Sequence, residues 1–337
     1  MNQIELLINK AWEKNSPMLT ALAPLSALYG MAARVHQSLY DGGRLTKYHA
    51  PVPVMVIGNI TVGGSGKTPL IIALVKYLQS KKINVGVVSR GYGRSDKVPA
   101  IVKADSEPTK VGDEPCLIVS ETVVPMAVGV NRGQAIDLLI QNYPNLQLII
   151  SDDGLQHHAL YRDAEWIVVD GVRGFGNGKL FPQGFLRESI KRLDGATVIY
   201  HDNRSDCYDD NALLMHLMPS TPTPLLSSDR TLHPQQVYAV SGIGYPVRFF
   251  KTLADLGFAV VEKPFGDHHN FTLDDLMELA DLPIIVTSKD AVKLRELAKT
   301  LPHIIFDNIW VLPVQAVLSK SIYDEMDKVL MSLGIKI

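Results

Sequence analysis

This sequence has few cysteines and a net charge close to zero, and each of these features excludes some classes of protein. The 337 residues contain two cysteines, Cys116 and Cys207, which are too far apart for a paired metal or redox motif. Such a count is typical of a reducing compartment and predicts no disulfide framework. The net charge is −2, so no overall basic field indicates a nucleic-acid partner. The length exceeds what one hydrophobic core usually spans, and we expect two domains.

Charge is also missing locally, because no charged residue lies between Lys14 and Arg34. The stretch approaches the length of a membrane span, but Pro17, Pro24 and several polar residues disfavour a spanning helix. Two alternatives remain open from composition: a helix packed on the rest of the protein, or a helix lying on a membrane surface. In the second case, flanking basic residues would lie near lipid headgroups; these are Lys10, Lys14, Arg34, Arg44 and Lys47. The first residues do not predict a secretory signal.

Short runs rich in valine and isoleucine alternate with helical patterns from residue 53 onward. Strands are predicted at 53–58, 85–89, 123–130, 146–151, 165–170 and 196–200, and helices include 69–82 and 132–142. Continuous apolar strands joined by crossover helices form parallel sheets that are buried on both faces. The predicted fold class is therefore α/β, with a doubly wound, mostly parallel sheet.

A stretch rich in proline, serine and threonine, 218–234, interrupts this alternation and predicts a linker. Strands and helices then alternate again, including a strand at 309–314 and a helix at 319–333. The predicted organisation is an N-terminal helical arm at 1–50, a nucleotide-binding core at 51–225 and a smaller α/β domain at 226–337.

A glycine-rich loop follows the first predicted strand, in the stretch VPVMVIGNITVGGSGKTP. It matches the phosphate-binding pattern G-x-x-x-x-G-K-[ST], except that Thr61 occupies the position of the first glycine. Backbone N–H groups of such a loop surround phosphate oxygens, while Lys67 reaches the β- and γ-phosphates and Thr68 holds Mg²⁺. The side chain at position 61 does not touch phosphate, so we still predict a P-loop NTPase fold that binds ATP. The predicted nucleotide-binding residues of this loop are Thr61, Val62, Gly63, Gly64, Ser65, Gly66, Lys67 and Thr68.

Two adjacent carboxylates, Asp152 and Asp153, end the apolar strand in LQLIISDDG. P-loop enzymes hold their metal with a carboxylate at the carboxyl end of a neighbouring parallel strand. Because two adjacent carboxylates repel each other unless a cation is near, the pair predicts Mg²⁺ rather than a solvated turn.

Phosphoryl transfer to an alcohol also needs a group that orients the hydroxyl or accepts its proton. The stretch GDEP offers Asp113 and Glu114, and the stretch GDHH offers Asp267, His268 and His269. A His–Asp pair formed across a cleft between the domains would relay a proton. The alternative is that the aspartate and histidines of the second stretch only begin the next helix.

Seven segments together resemble the tetraacyldisaccharide 4′-kinase family, in the family's order and over nearly the whole chain. They are PVPVMVIGNITVGGSGKTP, VSRGYGR, VGDEP, DDGLQHH, DGVRGFGNGKLFPQGFLRE, FGDHHNFT and TSKDAVKL. The resemblance implies ATP-dependent phosphorylation of the 4′-hydroxyl of a tetraacylated glucosamine disaccharide 1-phosphate, giving lipid IVA in lipid A biosynthesis. It also implies a peripheral enzyme on the cytoplasmic face of the bacterial inner membrane, with the acylated disaccharide and the membrane surface as partners. No obligate protein partner is inferred.

The resemblance further implies roles for individual residues. Asp113 matches the family's catalytic base and His268 its dyad partner, alongside Lys67. The other residues that it implicates are Gln156 and Arg187 for the nucleotide, Thr68, Asp152, Asp153 and Glu188 for the metal, and Asn59, Arg90 and Arg132 for substrate. The chain departs from the family in PQGFLRES, where the usual string is PAGPLREP. Gln183, Phe185 and Ser189 at these positions put the rigidity of the loop in question.

Two other functions fit parts of the pattern. One is a P-loop kinase or ligase for a soluble metabolite, which would leave the apolar N-terminal stretch unexplained. The other is a nucleotide-dependent switch of GTPase type. Guanine-binding proteins use N-K-x-D, and the nearest string here, TSKD, has its lysine directly beside its aspartate.

Overall fold

A nine-stranded sheet forms the centre of the protein in the computed structural model, which describes residues 11–12, 16–202 and 213–336. The strand order is β14-β8-β7-β6-β1-β5-β2-β4-β3. Only the two edge strands, β3 and β14, pair antiparallel with their neighbours. The strands are β1 (Val54–Gly58), β2 (Val85–Ser89), β3 (Ala100–Val102), β4 (Met126–Val128), β5 (Leu148–Asp152), β6 (Ala164–Asp170), β7 (Thr197–His201), β8 (Leu213–Pro219) and β14 (Val314–Leu318).

Helices cover both faces of this sheet, as parallel strands that are apolar throughout require. The helices of the arm and of this larger unit are α1 (Ala23–Asp41), which packs on a loop, and α2 (Lys67–Ser80), α3 (Pro108–Val111), α4 (Asp113–Thr122), α5 (Arg132–Asn142) and α9 (Lys320–Ser332). Helices α2, α4 and α9 share one core beneath the sheet, while α5 packs on the opposite face. In α2 the buried residues recur at helical spacing, so this helix is held firmly behind the phosphate loop.

A second sheet of five strands lies beside the first, in the order β11-β10-β12-β13-β9. All its pairings are parallel except that of β9 with β13. The strands are β9 (Thr223–Pro224), β10 (Gln236–Ser241), β11 (Ala259–Pro264), β12 (Ile284–Thr287) and β13 (Ile309–Leu312), and the helices are α6 (Val247–Asp255), α7 (Leu273–Met277) and α8 (Ser288–Thr300). The predicted α/β class, with a larger parallel sheet and a smaller second unit, is confirmed.

The sequence predicted that the whole of 226–337 belongs to the smaller domain, and the structure differs from this prediction in one respect. After β13 the chain returns to the larger sheet, where β14 pairs with β8 and α9 joins the core beneath α2. The hydroxyl of Tyr77 in α2 donates to Asp327 in α9 over 2.6 Å. The single strand predicted at 309–314 is two strands, and Pro313 separates them.

The N-terminal arm packs on the loop between β6 and β7. Gly30 lies so close to Leu180 that a Cβ would approach its side chain to 2.7 Å, and Ser26 Oγ donates to Leu180 O over 3.0 Å. Tyr29 donates to Arg187 O over 3.1 Å. The opposite side of the arm exposes large apolar side chains, namely Met18, Leu25, Leu28, Met31 and Val35.

The stretch Pro17–Asp41 is the one helical segment, among the described residues, that meets the length and hydropathy of a membrane span. It lies near the N-terminus, and length with composition is weak support for a crossing helix. The flanking Lys10 and Lys14 lie outside the described residues.

Candidate active site

The phosphate loop connects β1 to α2 and is held by backbone contacts with the segment that precedes Arg187. Thr61 forms an isolated bridge with Leu186, and Val62 N donates to Phe185 O over 2.7 Å. Gly63 and Gly66 both have φ values near +90°, which side-chain-bearing residues rarely adopt. The threonine in place of the first pattern glycine is thus buried and paired, at the point where the loop leaves the strand.

Lys67 lies at the centre of a polar network on the floor of the loop. Its Nζ donates to Asn59 Oδ1 over 3.0 Å and lies 3.3 Å from Asp153 Oδ1. Arg187 Nη1 reaches the same carboxylate, at 3.1 and 3.0 Å from its two oxygens. Burial alone would raise the pKa of Asp153, but the charges of Lys67 and Arg187 hold it well below its usual range. This carboxylate is therefore ionised beside the phosphate loop.

Asp152 precedes it, at the last position of β5, and has an unusual environment. It is 1% exposed; Ser89 Oγ donates to its Oδ2 over 3.2 Å, and no described residue donates to its Oδ1. Burial, together with the charges of Glu114 and Asp153, raises the pKa of Asp152 to about 7. A buried carboxylate oxygen without a donor is costly unless a cation is present, so this aspartate fits a divalent metal.

The carboxylates of the described residues do not enclose a metal by themselves. No cluster of three or more metal-ligating side chains is present in the described part of the chain. A Mg²⁺ ion in a P-loop site keeps waters and takes oxygens from the nucleotide, so few protein ligands are needed. Thr68, in the first turn of α2, and Asp152 are the protein groups available for it.

Gln156 and Glu188 extend the same network. Gln156 Nε2 donates to Glu188 Oε1 over 2.6 Å and to Asn59 O over 3.2 Å. Arg187 Nη1 approaches Gln156 Oε1 to 3.4 Å. The structure thus brings together Asn59, Lys67, Asp153, Gln156, Arg187 and Glu188, all of which were predicted as site residues.

Asp113 and His268 form a pair across the gap between the two sheets. Asp113 begins α4, is 4% exposed, and places both carboxylate oxygens 3.0 Å from His268 Nδ1. Burial would raise its pKa, yet the hydrogen bond with His268 and the positive charges of Lys289 and Lys293 lower it to about 2. Asp113 is therefore an ionised carboxylate, as a proton acceptor must be.

A loop of the smaller unit contacts both the phosphate loop and Asp267, the residue that precedes His268. A Cβ on Gly244 would lie 3.3 Å from Gly63 Cα and 3.1 Å from Asp267 Oδ2. Asp267, the neighbour of His268 in sequence, and Gly63 of the phosphate loop therefore lie close together.

The two arginines predicted to contact substrate occupy different environments. Arg132 is buried and donates through Nη1 to Gly129 O over 2.9 Å, while its Nη2 approaches Asp152 O to 3.5 Å. Burial lowers the pKa of Arg132 to about 10 despite the nearby aspartates. Arg90 is exposed at the carboxyl end of β2. Arg132 thus supports the strand ends from beneath, while Arg90 faces solvent.

Each departure from the family string at 182–189 has a defined setting. Phe185 is buried, with the guanidinium of Arg173 stacked 4.2 Å above its ring. Gln183 N donates to Ser26 Oγ over 2.8 Å, and Ser189 caps the 3₁₀ helix Ile190–Leu193. The loop is thus supported by packing and capping where the family has prolines.

Sequence reasoning missed several charged residues that the fold brings to the site. Arg173 Nη1 donates to Val62 O over 2.6 Å. Arg248, from α6, lies 2.8 Å from Asp170 Oδ1, and its Nη1 lies 3.2 Å from His201 Nδ1. Lys289, in the first turn of α8, contacts the dyad itself. The motif TSKDAVKL contained this lysine, but no spacing rule connected it with Asp113.

Comparisons with known proteins agree over nearly the whole chain. The family model described as tetraacyldisaccharide-1-P 4′-kinase matches residues 18–331. A tetraacyldisaccharide 4′-kinase of Psychrobacter cryohalolentis is 52% identical, over 99% of this chain and 98% of that protein. One of Actinobacillus succinogenes is 42% identical, over 90% of this chain and 92% of that protein. The solved "apo" form of LpxK from Aquifex aeolicus in complex with ATP is 26% identical, with a TM-score of 0.74, and covers 94% of this chain and 99% of its own.

Proposed function

The chain belongs to the tetraacyldisaccharide-1-P 4′-kinase family, and from this premise we propose which residues carry out the reaction and where. It is an ATP-dependent kinase of lipid A biosynthesis that phosphorylates the 4′-hydroxyl of a tetraacyl disaccharide 1-phosphate. The function expected from the resemblance is thereby confirmed. Kinases of soluble metabolites and GTPase switches are set aside, because neither class matches the family found over residues 18–331.

The observation that carries the residue assignment is the pairing of Asp113 with His268 beside the phosphate loop. Asp113 accepts the proton of the 4′-hydroxyl while the hydroxyl oxygen attacks the γ-phosphorus and ADP leaves. A pKa of about 2 keeps this carboxylate ionised throughout the neutral range. His268 holds the carboxylate oriented toward the acceptor, since its imidazole contacts both oxygens.

The network at the phosphate loop supplies the charge stabilisation. Lys67 and Arg187 both neutralise Asp153, and the phosphates of ATP compete with this carboxylate for the two cations. Mg²⁺, when bound, neutralises phosphate oxygens, and Thr68 and Asp152 are the residues that would hold it. Gln156 and Glu188 keep Asn59 and Arg187 in position.

The acceptor carries four acyl chains, so the enzyme must meet it at a membrane surface. The exposed apolar side of the arm supports this location: Met18 is 82% exposed and Leu28 is 62% exposed. Such a face lowers its free energy when it enters the headgroup and acyl boundary. We place the enzyme at the cytoplasmic face of the inner membrane, where ATP is supplied.

Incubation with radiolabelled ATP and the disaccharide 1-phosphate in detergent micelles tests the reaction and the assignment together. Wild type should yield a bis-phosphorylated lipid, and Asp113→Asn should lose most of that product while still binding ATP. Labelling of a water-soluble acceptor instead, or full activity of Asp113→Asn, contradicts the proposal.

A further inference from the structure

Lys289 carries its charge at an electrostatically unfavourable position of its helix. It lies in the first turn of α8, where the helix macrodipole is unfavourable to a cation. Its side chain is 15% exposed, so solvent does not compensate for this placement. The unfavourable placement of this cation is compensated by three acidic side chains, which are Asp113, Glu114 and Asp267.

The contacts of Lys289 join the two halves of the protein. Its Nζ donates to Glu114 Oε1 over 3.0 Å, on the larger sheet's side of the gap. On its own side it donates to His268 Nε2 over 3.2 Å and lies 3.5 Å from Asp267 Oδ1. Burial would lower its pKa, but the charges of Glu114, Asp267 and Asp113 raise it above its ordinary value, so the ammonium stays charged.

A charged lysine decides which nitrogen of His268 carries the proton. An ammonium group has three donors and no acceptor, so the ring nitrogen it contacts must accept. Nε2 is therefore the acceptor in this contact, and the ring proton lies on Nδ1. From there it is donated to Asp113, whose two oxygens both lie 3.0 Å away. The contact to the lysine and the contact to the aspartate are thus linked through one ring.

We propose that Lys289 is a positioning residue for phosphoryl transfer: by donating to His268 Nε2 it fixes the imidazole as the Nδ1–H tautomer, and by pairing with Glu114 it holds that imidazole against Asp113. The inference rests on the proposed function, since it assigns a partner to the same dyad. Lys293, one turn further along α8, supports the arrangement from a second side. Its Nζ lies 3.0 Å from Asp290 Oδ1 and 3.9 Å from Asp113 Oδ2.

The tautomer can be read directly on the full-length protein labelled with ¹⁵N-histidine, at about pH 8, above the usual pKa of histidine. In wild type, His268 should show a protonated Nδ1 and an unprotonated Nε2, with its signals assigned by their loss in His268→Asn. In Lys289→Met, the Nε2–H form should become populated, because the donor that excluded it is gone. Lys289→Arg retains a donor and should keep the wild-type tautomer.

Kinetics in detergent micelles supply the second readout. Lys289→Met should lower kcat about 10- to 100-fold, by analogy with the partners that orient metal-ligating histidines, whose removal costs that much. KM for ATP should stay within about twofold, because the nucleotide site is untouched. Lys299→Met is the matched control. Lys299 lies on the same helix, is 65% exposed and pairs only with Glu296 among the described residues. The kcat of this variant should therefore equal that of wild type. Lys289→Ala replaces the methionine variant if that variant does not fold.

Two results overturn the inference: an unchanged His268 tautomer after removal of Lys289, or a kcat equal to that of wild type. Failure of the wild type to phosphorylate the disaccharide would instead contradict the proposed function. The tautomer measurement needs no acceptor and remains decisive in that case.

Discussion

Ser89 Oγ donates to one carboxylate oxygen of Asp152, over 3.2 Å, and leaves the other oxygen buried with no donor from the described residues. The pair joins the ends of β2 and β5, next to the phosphate loop. A substitution at Asp152 should therefore affect the stability of the metal-free protein and the binding of its metal in different ways.

Asp152→Asn should therefore have two opposite effects. The Mg²⁺ concentration for half-maximal activity should rise about tenfold or more, because a metal ligand loses its charge. The melting temperature measured in a chelating buffer should rise, since a buried and poorly compensated charge is removed. Ser89→Ala is the control, and it should lower that melting temperature because it removes the remaining hydrogen bond. A wild-type Mg²⁺ requirement in Asp152→Asn would exclude this residue from the metal site.

The Asp113 and His268 pair should behave as a unit in kinetics. Asp113→Ala should lower kcat by about 10² to 10⁴ and leave KM for ATP nearly unchanged, because general-base catalysis acts in the transition state. His268→Ala should impair the same step. The double variant should lose less than the sum of the two losses expressed as free energies. Additive losses would mean that the two residues act independently.

Membrane docking by the arm predicts a sedimentation difference between two matched variants. Leu28→Glu places a charge on the exposed apolar side of α1 and should lower the fraction pelleting with anionic lipid vesicles about tenfold. Ile304→Glu changes a side chain that is 79% exposed in the 3₁₀ helix Ile304–Asn308 of the smaller unit. It should pellet like wild type. Equal loss in both variants would indicate nonspecific adhesion rather than docking through the arm.

The hydrogen bond from Tyr77 to Asp327 predicts a pH-dependent stability. Burial and the adjacent Asp327 raise the pKa of Tyr77 to about 12, so folded Tyr77 keeps its proton at a pH where the unfolded chain loses it. This contribution is complete below the unfolded pKa of about 10 and is lost as the pH rises through about 12. Tyr77→Phe should cost ~1 kcal/mol of unfolding free energy at neutral pH. The difference from wild type, measured with urea, should shrink at about pH 11; a constant difference would exclude the titration of this tyrosine.

The parts of the site that were predictable from sequence are those encoded locally. The phosphate loop and the Asp152–Asp153 pair each follow an apolar strand, and the carboxyl ends of parallel strands meet at one edge. Pairing of Asp113 with His268 could not be derived from spacing, since 155 positions separate them, and it came from the family resemblance. Lys289 was missed because its partner Glu114 lies 175 positions away, on the other sheet.

Partners that are distant in sequence also explain where the structure differs from the predicted fold. The apolar run beginning at Ile309 reads as one strand, yet Pro313 divides it between two sheets. Strand β14 is defined by its antiparallel partner β8, which lies about 100 positions earlier and leaves no local signal. The arm presented the converse problem: composition indicated an apolar helix, but only the contacts of Ser26, Tyr29 and Gly30 show which side is buried.

The return of the chain to the larger sheet also determines how the two halves can move. The chain enters the smaller sheet after Pro219 and leaves it before Val314, and these residues pair with each other. Ser220 N donates to Pro313 O over 2.9 Å, so the two crossing segments form a hydrogen-bonded ribbon. A two-stranded ribbon of this kind resists twisting about its long axis, and it bends more readily perpendicular to the plane of its two strands. Asp113 and His268 lie on opposite sides of this ribbon, so a bend in it would change the distance between the two side chains.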